Sequence, residues 1–303
     1  MKTSSRKFFP RGIQHIYQRA KDKGVIFYDD IDRLIYFSID SVMSKRHKVQ
    51  VLGLSIMFTH LHKNIIANTK RQMSSYVQDT TSVFARAYNY YHNRKGNLFQ
   101  ARFGSASRTD EKKIRTAIAY QYNNHVEKGL CKHPEEERWC FLAYYDSDHP
   151  FSKPIDPDNI SKNLRRAIRL IDRRAEKGQY LKYSLLEDIF STLTPEEKEQ
   201  FIDHTISKYM FIDFDKATSY YNSFDAMKAS FDDNTGSERT IREDYDAFSD
   251  LDYVRINAIF KQKGWPHSRI FTSPVDQRRG LAQALVFRRG INQAAAVKYL
   301  HIF

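Results

Sequence analysis

Two runs rich in β-branched and apolar residues follow one another with a single residue between them. They are residues 49–58 (VQVLGLSIMF) and 60–67 (HLHKNIIA), with Thr59 at the junction. Such runs read as extended chain, and Thr59 is either a bend between two strands or part of one long strand. Helical patterns flank the pair. Residues 29–44 carry Ile31, Leu34, Ile35 and Phe37 behind Asp29 and Asp30, acids that suit a positive helix N-terminus. Residues 71–92 place Met73, Tyr76, Val77, Thr80, Phe84, Ala87, Tyr88 and Tyr91 at spacings of three and four. His15-Ile16-Tyr17-Gln18-Arg19 has strand-like composition, and residues 110–128 read as a helix with Thr109 as N-cap and Gly129 as stop. Strands interleaved with helices predict an α+β fold for this part.

The rest reads as mainly helical. Residues 158–177 are amphipathic and end at Gly178, and Ser184-Leu185-Leu186-Glu187 has capping-box spacing. Thr194-Pro195-Glu196-Glu197 is a strong helix start, and that helix runs to about Met210. Residues 230–250 are polar and turn-rich and read as a loop or linker. Ser273-Pro274 opens a helix to Phe287, and Asn292 caps another through Leu300. This last pair reads as a helix-turn-helix or as a helical cap, with Arg278, Arg279, Arg288 and Arg289 on offer to DNA. Residues 150–157 mark the boundary between two domains, 1–150 and 151–303.

Charge supports that division. Residues 1–150 hold 25 Lys+Arg against 14 Asp+Glu, a net of +11, whereas residues 151–303 hold 24 against 22, a net of +2. A basic domain attracts polyanions, nucleic acid first among them. The 14% aromatic content excludes a disordered chain, and the absence of a long apolar run predicts no membrane span. The basic N-terminus has no apolar segment behind it, so no secretory signal is expected. Two cysteines are too few for a disulfide scaffold, so a cytoplasmic location is expected.

The sharpest chemical feature is His60-Leu61-His62. On a strand, alternate side chains share a face, so both imidazoles project together, about 7 Å apart at the backbone. Two such histidines can share a metal ion. Tyr120 and Asn124 lie four apart on one helical face. Asn offers a hard carbonyl oxygen and Tyr a phenol nucleophile.

Five segments occur in order: HIYQR at 15–19, IFYDD at 26–30, HLH at 60–62, GNLFQARF at 96–103, and Ala119-Tyr120 followed by Asn124, Val126, Gly129 and Leu130. This set resembles the single-tyrosine HUH transposases, most closely the REP-associated tyrosine transposases and their domesticated relatives. It covers roughly residues 6–146. The resemblance implies a ferredoxin-like antiparallel sheet with flanking helices. It implies His60, His62 and Asn124 as ligands of Mg²⁺ or Mn²⁺ and Tyr120 as nucleophile. The implied reaction cleaves single-stranded DNA through a 5′-phosphotyrosine link, releases a 3′-hydroxyl, and rejoins strands without ATP. Hairpin DNA with a single-stranded flank is the implied partner, and a nucleoid-associated monomer or homodimer the implied state. Phosphate contacts are expected from Arg19, Lys21, Lys23, Lys70, Arg71, Arg86, Arg94, Lys95 and Arg102, with Gln100 beside them. Tyr90, Tyr91 and Phe99 are candidates for stacking on unpaired bases.

The chain departs from that family in four places. Thr59 stands where Asn usually precedes the first His, and Lys63 where an apolar residue usually follows the second. Asn124-His125-Val126-Glu127 replaces the common Asn-Pro-Val-Arg, so Pro is lost and the Arg charge reversed. Cys131, His133 and Cys140, with His125 nearby, match no compact zinc spacing. No phosphate-cradling G-x-x-x-x-G-K-[ST] and no G-x-S-x-G elbow is present. The alternatives are a non-catalytic DNA-binding or regulatory descendant of such a transposase, and an unrelated basic metal hydrolase.

Overall fold

The computed structural model describes residues 8–232 and 248–303. The proposed linker at 230–250 therefore falls largely outside the described residues. The first elements are β1 (Ile13–Arg19), α1 (Asp30–His47), β2 (Gln50–Ile56), β3 (His60–Ile66), α2 (Lys70–Tyr91) and β4 (Gly104–Arg108). The four strands form one antiparallel sheet in the order β2-β3-β1-β4. A β-α-β-β-α-β chain in that order is ferredoxin-like, so the expected α+β class holds. Thr59 sits in the bend of the β2–β3 hairpin rather than in one long strand.

α1 starts where Asp29 accepts a hydrogen bond from the Asp32 backbone N–H, and α2 where Thr69 accepts from Gln72. These two helices pack against each other over one face of the sheet, above Ile16, Leu61 and Ile65. Lys63 lies on this face, wholly buried, with its Nζ 2.6 Å from Asp40 of α1. The Tyr76 hydroxyl of α2 donates to the same Asp40 oxygen at 2.6 Å.

The opposite face is covered by α3 (Glu111–Glu127), which lies across β2, β3 and β4. Its N-cap is Asp110, whose side chain accepts from Lys113 N–H, and not Thr109 as the sequence suggested. Gly129 ends it as expected, at φ +72°. Gly53 of β2 admits the helix closely, because a Cβ there would lie 2.4 Å from Gln121 Nε2. The ladder slips by one residue between Val51 and Gly53.

Three short 3-10 turns follow between 134 and 145, and the described remainder is helical: α4 (Lys162–Glu176), α5 (Tyr183–Thr192), α6 (Pro195–Lys208), α7 (Phe214–Thr218), α8 (Phe224–Asp232), α9 (Leu251–Gln262), α10 (Ser268–Thr272), α11 (Val275–Arg289) and α12 (Gln293–Tyr299). Thr194 makes the anticipated capping box at α6. α4 begins at Lys162, capped by Ser161, rather than at 158. Ser184 lies inside α5, whose N-cap is Lys182, so its capping-box spacing is incidental.

α5 and α6 pack on α1, α7 on β2, and α8 on α3, and one buried core holds residues from Ile16 to Leu300. α12 buries Ala295, Ala296 and Tyr299 and packs on α9 and α11. Tyr299 accepts a backbone hydrogen bond from the Tyr28 hydroxyl at 2.9 Å. The 292–300 segment thus packs as a helical cap on α9 and α11, with Gln293 and Ala294 exposed. No described helix is long and apolar enough to cross a membrane.

Candidate active site

Residues opposite one another in a ladder share a face of the sheet. Three such pairs stack on the face beneath α3: His15 with Asn64, Tyr17 with His62, and Arg19 with His60. Ser55 faces His62 from β2. α3 then sets Tyr120 over this patch. The Tyr120 ring lies 5.5 Å from His62 and 5.7 Å from His15, and the His60 and His62 rings are 5.1 Å apart. Tyr17 fills the space beside both histidines, 5.6 Å from His60 and 5.1 Å from His62. Asn124 sits one turn along α3. Its amide nitrogen donates to the Tyr120 carbonyl at 2.8 Å and the Gln121 carbonyl at 3.3 Å, which leaves Oδ1 as its acceptor end.

A chain of hydrogen bonds fixes the imidazoles. The Asn64 amide nitrogen donates to the Ala117 carbonyl at 3.0 Å and to Gln121 Oε1 at 2.8 Å. Asn64 Oδ1 must therefore accept, so His15 carries its proton on Nδ1, 3.0 Å away. With one proton per ring, His15 Nε2 accepts from His62 Nδ1 at 3.1 Å. The lone pair of His62 then resides on Nε2. Thr59, in the place of the usual Asn, still supplies a hydroxyl 2.9 Å from His60 Nδ1.

Burial, then the neighbouring Arg19 and Lys128, holds His60 well below its ordinary pKa of 6.5. Burial, then His60 and His15, does the same for His62. Both rings are thus uncharged at neutral pH, the form that ligates a metal. Two neutral imidazoles and an amide oxygen suit a divalent ion of the Mg²⁺ or Mn²⁺ kind. Among the described residues no three His, Cys, Asp or Glu side chains converge as a metal site. Any ion here would need the Asn124 oxygen to complete its set. The patch is closed, with Tyr120 only 4% exposed.

The expected DNA contacts spread more widely. Lys21, Lys70, Arg71, Arg86, Lys95, Gln100 and Arg102 are exposed, and Lys23 is partly so. Arg19 is buried, with its guanidinium 6.0 Å from the Tyr17 ring. Arg94 is drawn into its own loop, donating to Asn89 Oδ1, Gly96 O and Asn97 O. The Gln100 backbone N–H pairs with the Arg19 carbonyl at 3.0 Å and so ties this loop to β1. Two stacking candidates are corrected. Phe99 is in the core, and Tyr91 lies flat on Tyr183 at 4.1 Å. Tyr90 is 91% exposed. The Cys140 thiol is buried and donates to the Pro134 carbonyl.

Sequence reasoning missed His15, Asn64 and Gln121 as parts of the patch. A signal existed: His15, Tyr17 and Arg19 alternate on one strand, and Gln121 adjoins Tyr120.

No protein-family model matches the chain, and no curated protein matches it. Among solved structures, the chain is similar to a REP-associated tyrosine transposase bound to a REP hairpin. Identity is 16% and the TM-score 0.39, over 46% of this chain and 81% of that one. It is also similar to a candidate transposase from Deinococcus radiodurans r1, at 14% identity and TM-score 0.30, over 39% of this chain and 97% of that one. The α+β class itself is carried by the chain's own strand order.

Proposed function

We propose that the chain is a single-tyrosine DNA strand transferase of the REP-associated transposase kind. The observation that supports this best is the Tyr120 ring 5.5 Å from His62, on the same sheet face as His60. Residues 1–150 would form the catalytic unit and residues 151–303 a helical accessory unit for DNA or assembly.

In this reading His60, His62 and Asn124 hold Mg²⁺ or Mn²⁺, which when bound polarises a phosphate oxygen. The Tyr120 oxygen loses its proton and forms the new bond to phosphorus. The 3′ oxygen leaves and takes up a proton, and the 5′-phosphotyrosine conserves the bond for rejoining. His15 holds His62 in the correct tautomer. The exposed basic residues hold the phosphates of a hairpin and its single-stranded flank, which fits a nucleoid-associated protein acting as monomer or homodimer.

The burial of Tyr120 favours a second reading, a DNA-binding regulator descended from such an enzyme. One experiment separates them. Full-length protein is mixed with labelled single-stranded hairpin DNA from the flanks of its own gene and Mn²⁺, then run on denaturing gels. The transferase reading expects a covalent adduct that disappears in Tyr120→Phe and in His60→Ala. Binding without an adduct on several such substrates supports the regulator instead.

A further inference from the structure

A cavity of about 860 Å³ opens where α1 meets α5, α6, α9 and α10, and its wall is reached by His125 near the end of α3 and Ile56 at the end of β2. Its size suits a small organic ligand. Both tryptophans of the chain, Trp139 and Trp265, line it.

Arg33 also lines it, at 7% exposure. Its guanidinium is held between the rings of Phe58 at 4.8 Å and Trp139 at 5.6 Å. No ion pair or side-chain hydrogen bond satisfies it among the described residues, and its Nε is buried without a partner. Stacking on two rings offsets part of that cost, but a buried cation still calls for an acceptor.

Three imidazoles line the same cavity, and two of them, His92 and His267, are anchored by an aspartate. His92, 1% exposed, donates from Nε2 to Asp32 at 2.9 Å, and its Nδ1 is buried with no partner. His267 approaches Asp29 at 3.3 Å through Nδ1, and its Nε2 likewise has no partner. Lys198 and Lys261 add cationic chains to the lining. The carboxylates are not all free to oppose an anion, since Glu199 is held by Arg138 at 2.7 Å. Glu137 accepts from the Trp139 backbone N–H at 3.2 Å and Glu187 from the Tyr91 hydroxyl at 2.7 Å, so Asp30 and the second oxygen of Glu187 serve as acceptors on the lining.

We propose that this cavity binds a nucleotide unit. Its phosphate is taken by Arg33 with the rim lysines, and its base lies against the aromatic wall. Asp30 and Glu187 accept from the base's amino or ring N–H groups, as carboxylates do with cytosine. The unit is either a free nucleotide or one nucleotide of a strand. The proposal does not depend on Tyr120.

The two tryptophans make occupancy visible as a change in intrinsic fluorescence. Full-length protein is titrated with the four deoxynucleoside monophosphates, their nucleosides, inorganic phosphate and a short 5′-phosphorylated single strand. Equilibrium dialysis with radiolabelled nucleotide runs in parallel. Saturable binding of at least one nucleotide is expected, with its nucleoside and inorganic phosphate each about tenfold weaker or more. Arg33→Met, which keeps an aliphatic chain between the rings, weakens it by about tenfold or more. Lys198→Ala, a change nearer the surface, also weakens it and serves if Arg33→Met does not fold by circular dichroism. Tyr120→Phe leaves it unchanged. Binding by the strand as well as by free nucleotide places the unit within DNA, and binding by free nucleotide alone makes it a small-molecule site. No saturable binding by either method overturns the proposal, as does affinity untouched by both variants. Inorganic phosphate binding as tightly as the nucleotides overturns the assignment of a base.

Discussion

The two faces of the sheet bury polar groups in opposite ways. Beneath α1 and α2, Lys63 meets Asp40, Tyr76 donates to the same carboxylate, and the ammonium lies 5.0 Å from the Tyr36 ring. The two opposite charges meet at one carboxylate oxygen, Asp40 Oδ1. Beneath α3, the imidazoles and amides are joined by the hydrogen bonds of Gln121, Asn64, His15 and His62, with the Arg19 guanidinium buried on the same face. A neutralised network holds a fold, whereas an oriented neutral one stays available for chemistry.

Breaking the charged face has the largest expected effect on stability. Lys63→Met leaves Asp40 buried without its cation and should cost about 3–5 kcal/mol. The double change with Asp40→Leu should recover most of that, as read in denaturant melts. A single mutant as stable as the parent would mean that the pair is not buried together.

On the other face, His15→Ala should leave the fold intact and lower adduct formation about 10–100-fold, the range for removing a hydrogen-bond partner of a metal-binding histidine. Adduct formation at the parental level would remove His15 from the site.

The faces should also separate by pH in metal-free protein. Burial holds His60 and His62 below 6.5, and His301 is lowered to about 4 by burial. Unfolded imidazoles take up protons that the folded ones refuse. Stability is therefore full above pH 6.5 and falls as pH drops, with the His301 share lost between 6.5 and about 4. Burial also lowers Lys63 from 10.5. The unfolded lysine there holds a proton that the folded one gives up sooner, so its share rises with pH on the alkaline side. The double change Lys63→Met with Asp40→Leu, which removes both titrating groups, should thus leave the acid limb of a pH–stability curve in place. A shift of that limb would break the distinction.

The smallest effect is expected at the rim. Thr59→Val removes the hydroxyl from His60 Nδ1 and should cost about 0.5–1.5 kcal/mol, measured by thermal unfolding. A neutral result would mean that the Thr59 hydroxyl does not help to hold His60.

Much of the frame was legible because it repeats locally. The three-and-four spacing of α2, the acids opening α1, the Thr194 box and the paired apolar runs each name an element from its own residues. The spacing of His60 and His62 likewise put them on one face. β4 was not legible: Gly104-Ser105-Ala106-Ser107-Arg108 has no apolar alternation. It is a strand because β1 offers it an edge, not because its side chains demand one.

By itself, the sequence determined the strand-helix order apart from β4, the two histidines on one face, the phenol and amide one helical turn apart, and the concentration of positive charge before residue 150. Only the tertiary structure decided the partners. His15 and Asn64 are 49 residues apart and meet through the β1–β3 register. Lys63, a departure from the expected apolar residue, finds Asp40 23 residues earlier in the chain. The cavity around Arg33 exists only where helices from distant segments close over α1. Periodicity tells a residue which way to face on its own element. Which residue it faces is set by ladder register and packing, and these are properties of the whole chain.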